Sequence, residues 1–169
     1  MNGFIHALMA PGPAADRADA MDTYGWLVGD WVFDARVVLD GRATPVEGGR
    51  IHAAWVLEGR AIQDVWILPG VFAGTTLRVY DPGLDAWHIL WSDPLRQYYN
   101  RQLGRRHGDA IVQEGNDASG TGTRWSFLDR APDRFRWLGE RRGEDGIWQP
   151  VAEFAVRRTP STTPQGADR

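Results

Sequence analysis

About ten runs of alternating apolar and polar residues, each closed by turn-forming residues and none followed by a long helical repeat, constrain what this chain can fold into. The densest stretch is 55–94, WVLEGRAIQDVWILPGVFAGTTLRVYDPGLDAWHILWSDP, which holds four of the nine tryptophans. Successive side chains of a strand point to opposite faces, so odd and even positions can be read apart. Odd positions such as Trp55, Val65, Leu77, Trp87, Ile89 and Trp91 are apolar, whereas even ones include His52, Asp64, Arg78, Tyr80 and His88. A single alternation through the stretch predicts that Trp87, Ile89 and Trp91 face inward. His88, Arg78, Tyr80 and Asp64 then face out, because unpaired charge in an apolar interior costs several kcal/mol.

The same pattern continues on both sides. Strands are predicted near 31–39, through 51–55, and over 61–68, 75–80 and 87–91. Further ones fall near 97–103 and 110–113, around Trp125 and Phe127, around Phe135 and Trp137, and over 148–156. Asp81-Pro82-Gly83 is a turn in which proline presets φ and glycine admits a positive one. Ahead of the strands, Met21, Tyr24, Leu27 and Val28 recur at helical spacing, so a helix over 16–28 is predicted, N-capped by Asp16 and stopped by Gly29. Residues 1–15, broken by Pro11-Gly12-Pro13, are expected to be flexible, residues 16–158 to form one domain, and 159–169 to be a disordered tail. Ten strands with one apolar face each favour an all-β, closed antiparallel up-and-down barrel, since closure removes exposed edges. A barrel of this size is wider than its side chains fill easily, so a cavity is expected.

Composition narrows the function. A formal net charge of −3 does not suggest nucleic acid binding, which usually calls for a basic patch. All 19 cationic residues are arginine, so lysine Schiff-base and phosphate-loop chemistry are excluded. Cysteine is absent, which removes disulfides, thiol nucleophiles and thiolate metal sites. No run approaches the ~20 apolar residues of a membrane helix, and the N-terminus lacks a basic signal-peptide region. Cytoplasmic location is the default expectation. His52 and His107 have no companions at metal-ligand spacing, so neither metal nor cofactor is expected.

The segments LVGDW (27–31), WVLEGRAIQDVW (55–66), GTTLRVYDP (74–82), DAWHILW (85–91) and FRWLGERR (135–142) resemble the DUF1579-type calycin-like barrels of bacteria. That resemblance implies a lipocalin-like barrel with an N-terminal helix plugging one end, and is silent on activity. A more distant resemblance is to nitrobindin, a haem-binding barrel, through Gly29-Asp30-Trp31-Val32-Phe33. That family's haem-ligating histidine would be sought on the C-terminal strand, and no histidine follows His107 here, which disfavours haem.

Candidate site residues follow from the register. Trp31, Phe33, Trp55, Trp87, Trp91, Trp125, Phe127, Phe135, Trp137 and Phe154 are expected inside. Several Trp around one barrel suit a pocket for a flat apolar ligand. The residues expected to contact that ligand are Trp55, Gln63, Trp87 and Trp91, together with Tyr99, Arg101, Trp125 and Trp137. Arg101 and Arg141 near strand ends are candidates for holding an acidic group. An alternative is a cofactor-free isomerase or lyase using His88, Asp64, Arg78 and Tyr80 from neighbouring strands, with Asp93 as a second acid/base at the barrel mouth. A third reading is a solidly filled structural barrel. The expected partner is a small hydrophobic or aromatic molecule, with a homodimer also considered and neither nucleic acid nor membrane involved.

Overall fold

The computed structural model describes residues 2–160. Ten strands follow one another: β1 (Gly29–Leu39), β2 (Arg42–Val56), β3 (Ala61–Leu68), β4 (Phe72–Asp81) and β5 (Ala86–Asp93), then β6 (Tyr98–His107), β7 (Ala110–Asp117), β8 (Gly122–Ala131), β9 (Arg134–Arg142) and β10 (Trp148–Arg158). Each pairs antiparallel with the next, and β1 also pairs with β10, Trp31 opposite Arg158, which closes the sheet into a barrel with no free edge. The predicted all-β, closed ten-stranded barrel is the observed architecture. The tail over 161–169 lies outside the described residues.

A helix seals one end. The predicted helix over 16–28 is a 3-10 turn at Ala15–Arg17 followed by an α-helix at Ala18–Gly25. Asp16 does not cap it; its carboxylate takes a hydrogen bond from Arg60 at 3.0 Å instead. Met21, Tyr24 and Leu27 are wholly buried and enter the barrel from this end. Gly104 of β6 makes room for Tyr24, since a Cβ there would stand 2.2 Å from the phenol oxygen. The Trp31 indole donates to Leu27 O at 2.8 Å, and Arg158, 3.9 Å above the Trp31 ring, donates to the carbonyls of Trp26 and Val28. The plug is thus fastened to both β1 and β10.

The N-terminal segment, for which the sequence predicts no element, contains a short helix at Gly3–Leu8 capped by Asn2. It then runs beside the β2–β3 turn, with Ala10 N–H donating to Trp55 O at 2.9 Å and Ala14 N–H to Gly59 O at 3.0 Å.

The sequence reading fails in one respect, the assumption of a single alternation through 55–94. The innermost β2–β3 pair, Val56 and Ala61, encloses four residues, and so does the β4–β5 pair, Asp81 and Ala86. Paired residues of a hairpin share a face, so an even loop moves the inward set from odd to even numbers, or back. The β3–β4 turn encloses three residues between Leu68 and Phe72 and keeps the parity. Hence β5 faces Trp87, Ile89 and Trp91 inward, as predicted, with His88 outside. On β3 and β4 the inward residues are Asp64, Trp66, Thr76 and Arg78, while Val65 is 41% exposed.

The aromatic interior predicted from β1, β5, β8, β9 and β10 is present, and Trp66 joins it, within 6.0 Å of both Phe33 and Trp137. Tyr24 sits edge-on to Trp87 and Phe127 at 5.0 and 6.0 Å, which makes it the keystone of the plugged end. Replacing Tyr24 with Ala is expected to cost about 3–5 kcal/mol, because the cavity is lined by rigid rings and cannot collapse. Tyr24→Phe, which removes only the hydroxyl, is expected to cost about 0.5–1.5 kcal/mol. Urea unfolding of the three proteins checks both values.

Candidate functional site

Across the middle of the barrel runs a buried polar network that begins on β3 and β4. Asp64 is wholly buried and Arg78 is 2% exposed; Arg78 gives Nε at 2.9 Å and Nη2 at 2.8 Å to Asp64 Oδ2. The other carboxylate oxygen of Asp64 accepts from Thr76 N–H at 3.2 Å. Arg78 Nη1 donates to Gln113 Oε1, which also accepts from the Tyr24 hydroxyl at 2.9 Å. The network continues from Gln113 to Gln102 at 3.2 Å, to Thr123 at 2.9 Å and to Asn100 at 3.0 Å. Asn100 in turn donates to the Tyr98 hydroxyl at 3.2 Å.

The guanidinium also lies beside two aromatic rings that meet edge to face, 5.0 Å from the Tyr24 ring and 5.4 Å from Phe127. Burial pushes the Tyr24 phenol well above its ordinary pKa, outweighing the neighbouring arginine cation, so it stays a donor.

Above this layer, at the end away from the helix, the barrel opens into a cavity of about 370 Å³. One wall is apolar: Val37, Val71, Phe72, Ala152 and Phe154. Trp66, Trp91, Trp125 and Trp137 supply broad flat faces, with Trp137 stacked on Phe154 at 4.6 Å. Gly74 is glycine for this reason, since the Trp91 ring lies where its Cβ would be, at 2.4 Å. The lining also has polar members, with Thr76 and Arg78 at the floor and Asp93, Arg96, Tyr98 and Arg141 toward the mouth.

The polar groups near the mouth are individually held. Asp93 is 1% exposed, and its Oδ1 accepts the backbone N–H groups of Leu95 and Arg96 at 3.0 and 3.2 Å. Arg141 pairs with Asp117 at 3.0 Å. Burial opposes ionisation of Asp117, but hydrogen bonds from Ser119 and Thr121 outweigh it and hold the carboxyl below the usual carboxylate range. Burial, with the Asp117 charge, raises the Tyr98 phenol. Two buried indole N–H groups, Trp66 Nε1 and Trp87 Nε1, find no acceptor among the described residues.

The predicted acid/base group is dispersed. Arg78 and Asp64, expected outside, are together in the interior because the even β2–β3 loop reversed their face. His88 is on the outer face, 3.1 Å from Asp81, and the hydrogen bond from His88 holds Asp81 below its ordinary pKa. Tyr80 is at the helix end, bonded to Asp85 at 2.9 Å, while Asp93 is at the opposite mouth, as predicted.

Of the expected ligand contacts, Trp91, Trp125 and Trp137 line the cavity. Trp87 lies beneath Tyr24 in the plugged half, and Trp55 packs against Gly25 of the helix. Gln63 bonds Thr75 at 3.1 Å on the outer face of β3. Tyr99, 42% exposed, and exposed Arg101 are on the outer face of β6, which faces its even residues inward. Trp66, Thr76, Arg96 and Tyr98 were missed; the length of the β2–β3 loop was the available signal for Trp66 and Thr76, and that of the β5–β6 loop, four residues between Asp93 and Tyr98, for Tyr98. Among the described residues no three His, Asp or Glu side chains converge as a metal site, and no helix is long and apolar enough to cross a membrane.

No family model and no curated protein matches the chain. Solved structures do. The crystal structure of Rv2717c from M. tuberculosis superposes with a TM-score of 0.57 over 89% of this chain and 99% of that one, at 15% sequence identity. The likeness is one of fold.

The Arg78–Asp64 pair generates a stability prediction. Asp64→Ala leaves a buried guanidinium without its counter-ion and is expected to destabilise by about 3–5 kcal/mol. Asp64→Leu combined with Arg78→Met, which removes both charges at similar volume, is expected to recover most of that loss. Thermal and urea unfolding of single and double variants measure the difference.

Proposed function

We propose that the protein binds a small, largely aromatic molecule in the open half of its barrel. The observation that carries this reading is the cavity of about 370 Å³, walled by four tryptophans and opening at one end only of a barrel whose other end is plugged. Its volume falls in the lower part of the roughly 300–1,000 Å³ range of small-molecule sites, which suits one or two rings rather than a long acyl chain. Interlocked rings such as Trp137 on Phe154 and Trp91 over Gly74 make the walls stiff, so little ordering cost falls on binding. Exposed apolar side chains at Leu39, Leu95 and Ile147 surround the mouth.

A place among the DUF1579-type barrels is part of this reading and is supported by the sequence motifs alone, since no family model matches the chain. The isomerase or lyase alternative draws less support, because His88, Tyr80 and the Arg78–Asp64 pair point to three different parts of the molecule.

Titration with naphthalene, followed by intrinsic tryptophan fluorescence, is expected to show saturable binding. Ala152→Phe, which projects a ring into the cavity, is expected to weaken it at least tenfold with the fold retained by circular dichroism. Unchanged affinity in that variant would place the ligand elsewhere and refute the reading.

A further inference from the structure

Five side-chain hydrogen bonds of the buried network run in one direction, from Arg78 to Tyr98, and that direction fixes what the cavity offers a guest. Arginine has donors only, so Gln113 turns its carbonyl oxygen to Arg78 and gives its NH2 group to Gln102. Gln102 accepts on Oε1 and therefore donates its own NH2 group to Thr123. Thr123 is wholly buried and has one hydroxyl hydrogen, which goes to Asn100 Oδ1. Asn100 then donates from Nδ2 to the Tyr98 hydroxyl oxygen at 3.2 Å. Because the chain starts at a cation, each link polarises the next in the same sense. It ends on the Tyr98 hydroxyl, whose hydrogen meets no acceptor among the described residues. Burial raises this phenol above its ordinary pKa, so it keeps that hydrogen. Tyr98 is half-buried and lines the cavity toward its mouth, so the last donor of the chain is left for a guest.

A cation stands near that donor. Arg96, two residues earlier in the β5–β6 turn, also lines the cavity. Its backbone N–H donates to Asp93 Oδ1, while its guanidinium has neither a carboxylate partner nor a hydrogen-bond acceptor among the described residues. The other two arginines of the lining are paired, Arg78 with Asp64 and Arg141 with Asp117. The charge of buried Asp93 is met by the backbone N–H groups of Leu95 and Arg96, without the Arg96 guanidinium. The two unused groups at the mouth are therefore both donors, and one of them is charged. Their complement is a group with acceptor atoms only and a negative charge, which describes a carboxylate.

We infer that the guest is an aryl carboxylate of one or two rings, its ring among the tryptophans, one carboxylate oxygen accepting from the Tyr98 hydroxyl and the other meeting the Arg96 guanidinium. This deepens the binding function proposed above and rests on it. A neutral carbonyl on the same ring would use Tyr98 alone, and an unsubstituted ring would use neither residue.

Calorimetric titrations with naphthalene, 2-acetylnaphthalene and 2-naphthoate, which share a ring and differ in the acceptor, test it. The native protein is expected to bind 2-naphthoate about 10- to 100-fold more tightly than naphthalene, the range of hydrogen bonds to a charged group, with 2-acetylnaphthalene in between. Tyr98→Phe is expected to lower the affinity for both oxygen-bearing probes relative to naphthalene about 5- to 10-fold. Arg96→Gln is expected to lower the affinity for 2-naphthoate relative to 2-acetylnaphthalene about tenfold. Asn100→Asp tests the direction of the chain: its two carboxylate oxygens would accept from both Thr123 and Tyr98, so the preference for 2-acetylnaphthalene over naphthalene is expected to vanish. A preference that survives in a folded Asn100→Asp protein or in Tyr98→Phe overturns the role of Tyr98. Binding of 2-naphthoate no tighter than that of naphthalene or 2-acetylnaphthalene by the native protein overturns the carboxylate while leaving the binding function standing. Failure of all three probes, naphthalene included, overturns both.

Discussion

The buried contact between Arg78 and Asp64 organises the interior of this barrel. It ties β3 to β4 directly and, through Gln113, reaches β7 across the barrel and Tyr24 on the plugging helix. A guanidinium this deep is tolerable because all three of its nitrogens donate hydrogen bonds and two aromatic rings lie beside it. The contact also sets a level. Below it the helix side chains and Trp87 fill the space, while above it the barrel stays open.

The two halves therefore do different work with similar residues. In the plugged half, tryptophan and phenylalanine rings meet Tyr24 and Trp26 edge-on and pack the helix against the barrel. In the open half, Trp66, Trp137, Trp125 and Trp91 form a chain in which each ring lies about 6 Å from the next, and β-strand glycines accommodate two of the rings. Trp91 covers Gly74 and Trp137 covers Gly139, so the tryptophans spread along the wall instead of pointing to the barrel axis. Space in the middle is the result. Thr76, Arg78, Asp93 and Tyr98 add polar groups to this otherwise largely aromatic lining.

The sequence by itself determined the number of strands, their turns, the plugging helix and most of the aromatic interior. Each of these rests on local chemistry: alternation of period two, turn-forming Gly, Pro and Asp, and helical spacing at Met21, Tyr24 and Leu27. Trp91, Trp125 and Trp137 were legible as cavity residues for the same reason, as was Asp93, which shares their parity. Which face the polar residues of β3, β4 and β6 take was decided only by the tertiary structure. A strand's alternation states that two faces exist, and the residues enclosed by the preceding loop decide which one turns inward. Four-residue loops after Val56 and Asp81 reversed the set twice, carrying Asp64, Trp66 and Arg78 inside and leaving Gln63 outside. On β6 the inward set is even-numbered, which leaves Tyr99 and Arg101 on the outer surface. An ion pair such as Arg78–Asp64 is equally at home on either face of a strand pair as far as pattern goes. Only closure of the barrel around Gln113 and Tyr24 supplies the partners that make the inner position affordable.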